Sequence, residues 1–365
     1  MKKSVSLKSL CSVFASTLFI FACGQAYGAD NKSPVKVNYA YTDPSFAVSS
    51  ASYTSLPVQL GYFKDEGLEV AILPTQGAGQ GVQAVAGNQA LMTVSGVTAF
   101  YPAMVKEPTL RIIGFYSDIY EISVPKDSEI KSIADLKGKT VGVQSLASAS
   151  YFHARLAVKK AGLDPDKDIK WLPVGVGSQA AVAYENGDIQ AFALWDSVNT
   201  IIGHLLKRSL NALPSELNNL PAMGGYLVGE QSLTKDRDTL VKFLRATYKS
   251  AVWAKANPEE AVRLHWKQYP LQRPKNANDE EAAMALAKAL LLARLPLIEP
   301  VKGTDYYGYA SSEQIQDAAD LLYEGGILKE QFDTKNFVDM SLIKEANDFD
   351  REKIVADANS YSSNK

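Results

Sequence analysis

AILPTQGAGQGVQAVAGNQALMTVS at residues 71–95 and IKWLPVGVGSQAAVAYENGDIQAFALWD at residues 169–196 are two versions of one unit. Each reads as a strand, a proline, a G-x-G, a short helix, a glycine and a second strand, and the second version has two more residues in its helix. A single repetition this far apart does not fit a short-period solenoid. It points to one supersecondary unit used twice, once in each of two lobes.

The surroundings extend both copies. Before the first, VKVNYAY (35–41) reads as a strand and residues 50–63 as a helix with Gly67 beyond its end. Within it, LEVAIL (68–73) and ALMTVS (90–95) are strands around a helix ended by Gly87, and RIIGFYS (111–117) follows. A second series starts near Ile122: ISVPKDSEI, a short helix capped by Ser132, the strand TVGVQ, and a helix from about Ser148 to Ala161. IKWLPV, a helix ended by Gly187 and AFALW complete it. This βαβ rhythm predicts an α/β fold with mostly parallel sheets.

From about Thr234 the pattern turns helical, with apolar residues three and four apart in RDTLVKFLRATYKSAVWAKAN. Asn257 as cap, Pro258 at the first position and Glu259 and Glu260 at the positive dipole end mark the next helix. AAMALAKALLLARLPLI carries Lys288 and Arg294 and is expected to end at Pro296, a buried helix and not a membrane span. Ser311 with Gln314 forms a capping box, and Gly325-Gly326 ends that helix.

The chain has 365 residues, 46% of them hydrophobic and 21% charged, which is enough for about two domains. A net charge of −2 leaves no basic footprint for nucleic acid. Lys2, Lys3 and Lys8 precede an apolar run from about Leu10 to Ala22, and Ala26-Tyr27-Gly28 supplies small residues at −3 and −1. Residues 1–28 therefore read as a secretory signal peptide, too short for a membrane anchor. Both cysteines, Cys11 and Cys23, lie inside it, so the mature chain is expected to have neither disulfide nor thiolate metal site. Lipid attachment at Cys23 is the alternative. Ile20-Phe21-Ala22 resembles a lipobox only loosely, because Phe21 is bulky.

Catalytic motifs fail one by one. GVGSQA (175–180), with Asp196 ending the next strand, superficially meets the dinucleotide fingerprint. Its counterpart GAG at 77–79 leads to Ser95 instead of an acid, and the unit sits in mid-lobe. VGVQSLASASYFH (141–153) lacks the G-x-x-x-x-G-K of a phosphate loop and the G-x-S-x-G of a nucleophile elbow. His153, His204 and His265 form no metal-binding spacing. No catalytic residue, metal or cofactor is expected.

Binding features remain. Ser145, Ser148 and Ser150 flank a helix start, where free N–H groups favour an anionic or electron-rich group, though one of them must simply cap the helix. Trp195 and Asp196 follow a strand end, a frequent ligand position in open α/β sheets. Tyr41, Phe46, Phe115, Tyr116 and Tyr226 lie near other strand ends and could wall a pocket. The candidate ligand contacts are Asp43, Phe46, Gln76, Gly77, Ser95, Gly96, Tyr116, Ser145, Ser148, Trp195, Asp196 and Tyr226.

At this point the chain resembles the periplasmic substrate-binding proteins of ABC importers in the nitrate, sulfonate, taurine and thiamine-precursor group. The matching stretches are LGYFKDEGLEV (60–70), VQAVAG (82–87), IKSIADLKGKTVGVQ (130–144), VKKAGLDPDKDIKWLPV (158–174) and ENGDIQAFALWDS (185–197). Two positions depart from the group's pattern: Ala90 stands for an acid after the first-lobe glycine, and Gln190 for the second acid of G-D-x-D-A. The ligand therefore cannot be copied from any one relative.

The resemblance implies a type II two-lobed binding protein: lobe 1 from residues 33–120 plus 225–365, lobe 2 from 121–224, crossovers near 119–124 and 223–229, and a helical C-terminal part on the first lobe. It implies hinge closure over a small-molecule ligand and a closed form recognised by an ABC permease in the inner membrane. A periplasmic monomer is expected, with no nucleic acid partner. An enzymatic branch of the same fold, which makes the thiamine pyrimidine with a cysteine-rich iron site, is the alternative, and the absence of mature cysteine argues against it.

The expected cleft loops TDPSFAVSS, PTQGAG, SGVTAF, FYSDIY, QSLASAS, VGVGSQ, LWDSV and GGY contain no Lys or Arg, and Asp43, Asp118 and Asp196 are their only charges. A small inorganic anion such as nitrate is therefore disfavoured. A sulfonate or carboxylate held by backbone N–H groups, or a neutral or cationic heterocycle stacked on Trp195 or a Tyr, both fit.

Overall fold

The computed structural model describes residues 33–218, 220–273, 279–300 and 304–362. The segment 1–28 expected as a signal peptide, with Cys11 and Cys23, lies outside them.

Among the described residues, ten strands form two five-stranded sheets. They are β1 (Val35–Tyr41), β2 (Leu68–Pro74), β3 (Met92–Gly96), β4 (Leu110–Tyr116), β5 (Tyr120–Pro125), β6 (Thr140–Val143), β7 (Lys170–Pro173), β8 (Ala191–Trp195), β9 (Leu210–Ala212) and β10 (Gly224–Gly229). The first sheet has the order β2-β1-β3-β10-β4 and the second β7-β6-β8-β5-β9. In each, the strands of the duplicated unit are parallel to their neighbour β1 or β6. The fourth strand of each order arrives from the other half of the chain and runs antiparallel: β10 lies between β3 and β4, and β5 between β8 and β9. The two crossovers thus insert reciprocally, which ties the halves together through backbone ladders.

The repeated proline has a place in this scheme. Pro74 and Pro173 end β2 and β7, the edge strands, where a missing N–H costs no central ladder bond. The following glycines turn the chain into a helix. Gly77 (φ 119) precedes helix Ala78–Ala86 and Gly177 (φ 64) precedes helix Ser178–Glu185, both in backbone conformations that side chains resist.

Most sequence-derived elements stand within a residue or two. Residues 50–63 are an exception: they split into a 3₁₀ turn, Val48–Tyr53, and helices Ser55–Gln59 and Tyr62–Asp65. Gly61 at φ 78 breaks the run between the last two. Helix Glu280–Ile298 also passes Pro296 and stops two residues later, because a proline in the last turn forfeits only one bond there.

Helix Arg237–Ala256 lies on the first sheet, with Phe243 edge-on to Tyr39 of β1 at 5.1 Å. Helix Ser312–Glu324 packs on helix Val97–Lys106 and also reaches the second half. There Lys160 pairs with Glu324 at 3.4 Å, and Leu156 fills the space beside Gly325, where a Cβ would lie 1.7 Å from its Cδ1. No described helix is long and apolar enough to cross a membrane.

Candidate ligand-binding site

Strand ends from both sheets meet at one seam. β1 runs into Tyr41-Thr42-Asp43, β3 ends at Ser95-Gly96, β4 ends at Tyr116, β5 begins at Tyr120 and β8 ends at Trp195. Between them lies a cavity of about 60 Å³ that these residues line together with Ser49, Tyr53, Asp118, Gln144, Ser150, Ser197 and Arg294.

The seam is sealed by direct bonds between the halves. Gly79 N–H donates to the Ala147 carbonyl at 3.0 Å, Gln144 Nε2 to the Thr42 carbonyl at 3.1 Å, and Thr98 Oγ1 to the Ala149 carbonyl at 2.8 Å. The Ser49 and Ser197 hydroxyls lie 3.1 Å apart. Glycine permits the closeness: a Cβ at Gly79 would stand 2.7 Å from Ala147 Cβ, and one at Gly96 would stand 2.5 Å from the Tyr120 hydroxyl.

Arg294 is the feature that the loop sequences did not reveal. It projects from helix Glu280–Ile298, 4% exposed, and its Nη1 donates to Asp118 Oδ1 at 2.6 Å. Asp196 Oδ1 lies 3.9 Å from the same nitrogen, and the guanidinium sits over the Tyr116 ring at 5.3 Å. Burial works against its charge, but Asp118, Tyr53 and Asp196 outweigh burial and hold its pKa well above the ordinary value. The cleft is therefore not free of cations, which corrects the inventory drawn from loops alone. One signal was present: an Arg in the apolar C-terminal half of a helix must find a partner if buried.

Asp43 is buried and folds back on its own turn. It accepts from Ser45 N–H and from Ser45 Oγ, each at 2.8 Å. Burial raises its carboxyl above the usual range, against those two bonds. Asp196 is raised likewise, chiefly by burial, with Arg294 opposing. The phenols of Tyr41, Tyr53, Tyr116 and Tyr120 are all pushed up by burial, so they offer neutral O–H groups.

Of the twelve candidate contacts, Asp43, Ser95, Tyr116 and Trp195 line the cavity. The other eight have different places. Phe46, at φ 47, stacks on Tyr269 at 4.4 Å and packs behind Tyr41 at 5.3 Å without lining the cavity itself. Gln76 lines an outer groove with Leu172, Val174 and Gln179. Gly77 and Gly96 are close-approach positions, the first with Ser145 Oγ 3.1 Å from where its Cβ would lie. Ser145 accepts from Ala147 N–H at 3.4 Å, and Ser148 caps helix Ala149–Lys160 by accepting from Tyr151 N–H at 3.3 Å. Asp196 opens helix Asp196–Leu206 and lines a different groove. Tyr226 supports Tyr116 from behind, edge-on at 6.0 Å. Within the serine loop it is Ser150, one residue inside the helix, that reaches the cavity.

Two histidines are buried away from any chemistry. His265 bridges Ser55 Oγ and the Phe46 carbonyl, each at 2.8 Å, while neither ring nitrogen of His153 has a partner. Burial pushes both down to about 4 from 6.5, outweighing the Phe46 carbonyl bond in the case of His265. The unfolded chain therefore binds protons that the folded one refuses. Stability should be full above about pH 6.5 and fall as the pH drops toward 4, by on the order of 3 kcal/mol for each histidine. Urea unfolding at stepped pH checks this, and His153→Phe should flatten the dependence without loss of stability at pH 7. Among the described residues, no three His, Cys, Asp or Glu side chains are grouped to hold a metal ion.

A model of the NMT1/THI5-like family matches residues 56–261, more than half of the chain. A putative aliphatic sulfonates-binding protein of Bacillus subtilis (strain 168) is 25% identical over 227 residues, 62% of this chain and 61% of the relative. The chain thus spans about three fifths of that relative's length. The riboflavin-binding protein RibY of Chloroflexus aurantiacus is 22% identical over 301 residues, 75% of this chain and 77% of that protein. Among solved structures, the alkanesulfonate-binding protein SsuA from Xanthomonas axonopodis pv. citri, bound to MOPS, superposes with a TM-score of 0.64 at 19% identity, over 84% of this chain and 98% of that one. At that identity the shared property is the fold: two α/β lobes of the periplasmic binding protein type.

Proposed function

Because the chain belongs to the NMT1/THI5-like family, we propose that it is the solute-binding component of an ABC importer, exported by its signal segment, closing two lobes on a small organic ligand and offering the closed form to a permease. The observation that carries this reading is the seam cavity, lined from both sheets by Asp43, Ser95, Tyr116 and Trp195. Ligand capture between strand ends of facing lobes is the ordinary use of such a cavity.

Size and charge narrow the ligand. A water needs roughly 10–15 Å³ of such space, so the cavity of about 60 Å³ suits a compact ligand. A flavin-sized one requires the lobes to stand further apart. Of the two chemistries that the sequence leaves open, a bare sulfonate or carboxylate meets an arginine already bonded to Asp118. A neutral or cationic group stacked on Trp195 meets no such competition.

Thermal-shift and calorimetric screening of sulfonates, aromatic carboxylates, pyrimidines and flavins tests the reading. A true ligand at 100 times its Kd should stabilise the protein by about 2.7 kcal/mol. Trp195→Ala should weaken it about tenfold or more, through lost stacking and buried area. Unchanged affinity in that variant would move the site elsewhere, and tight nitrate binding would contradict the ligand class.

A further inference from the structure

We infer that the seam cavity selects a compact organic cation, with the Asp43 carboxylate as its counter-ion and the rings of Tyr53, Tyr116 and Trp195 in its walls. The inference rests on the solute-binding reading and adds the sign of the ligand's charge.

Three charged side chains line the cavity among the described residues: Asp43, Asp118 and Arg294. Two of them neutralise each other. Arg294 holds Asp118 at 2.6 Å through Nη1 and covers the Tyr116 ring, while its buried Nε has no hydrogen-bond partner among the described residues. Asp196 lies 3.9 Å from the same Nη1 and adds further negative charge. Asp43 is the group left over. It is 6% exposed, and its only partners among the described residues are the neutral N–H and O–H of Ser45. A buried carboxylate without a cation is costly, and a ligand cation removes that cost at closure. The Tyr53 and Trp195 rings act in the same direction, because ring faces attract cations, most strongly when desolvated. An anion would face Asp43 and lie beside the Asp118 carboxylate, and the cation it meets already has Asp118 on its Nη1.

Calorimetric titration of the mature protein with tetramethylammonium, guanidinium and imidazolium chlorides, beside sodium methanesulfonate and acetate, tests this. At least one cation should bind about tenfold or more tightly than either anion. Asp43→Asn should abolish that preference while the unliganded variant unfolds at an unchanged or higher temperature. If the variant does not fold, the cation-to-anion ratio of the wild type decides alone. Preference for an anion overturns the inference and leaves the solute-binding reading standing. Failure of every cation to bind overturns it too, and the broader screen with Trp195→Ala then decides the solute-binding reading separately.

Discussion

Arg294→Met is expected to lower the unfolding free energy by about 3–5 kcal/mol, the usual cost of removing one partner from a buried ion pair. The effect comes from what remains. Asp118 is 7% exposed and would keep a carboxylate with its cation gone, and Asp196 would lose its opposing charge as well. The Tyr116 ring would lose the guanidinium above it. Chemical denaturation measures the loss. The double variant Arg294→Met with Asp118→Asn should recover much of it, since no buried charge is then stranded at that pair. A double variant no better than the single one would mean that Arg294 acts through packing and not through Asp118.

Gly79→Val should leave the unliganded fold intact and weaken ligand binding about 5- to 150-fold, the equivalent of 1–3 kcal/mol of overpacking placed on the closed form alone. Gly79 lies in the first turn of helix Ala78–Ala86, where a side chain suits the helix better than glycine does. The obstacle is across the seam: its Cβ would stand 2.7 Å from Ala147 Cβ and 3.5 Å from the Ala147 carbonyl. Parting the lobes removes the clash, so the substitution holds them apart. Gly79→Ala should show a smaller loss of the same sign, and adding Ala147→Gly should restore affinity. Wild-type affinity in Gly79→Val would mean that binding does not need this closure.

The fold was legible because it repeats. The strand–proline–G-x-G–helix–strand unit appears twice in the chain, and each copy supplies the parallel part of one sheet. Strand ends mark ligand positions in such sheets, which is why Ser95, Tyr116 and Trp195 could be named from sequence. Two kinds of residue escaped, and a third kind has its chemistry engaged locally. Arg294 lies about a hundred residues beyond the second copy, on a helix whose pattern speaks only of burial. Tyr53 and Ser49 lie on a 3₁₀ turn, where helical spacing misassigns the facing side chains. Ser148 and Gly77 carry the right local chemistry, but capping and close approach use it up. Local pattern reports which element a residue joins, and the partner across the seam is a tertiary fact.

The Gln190 departure finds a local explanation. Its Oε1 accepts from Thr140 N–H at 3.0 Å and its Nε2 donates to the Gly187 carbonyl at 3.0 Å, joining the glycine turn to β6. An amide can do both, whereas a carboxylate there could only accept. Its role is structural, away from the cavity.

A crystal structure with the tightest ligand from the screen tests the central claim most directly. The account predicts density at the seam, between Trp195 and the Tyr53–Tyr116 pair, with Gly79 still bonded to Ala147. Ligand in the outer groove beside Gln76 or against helix Asp196–Leu206, with the seam cavity empty, would contradict it.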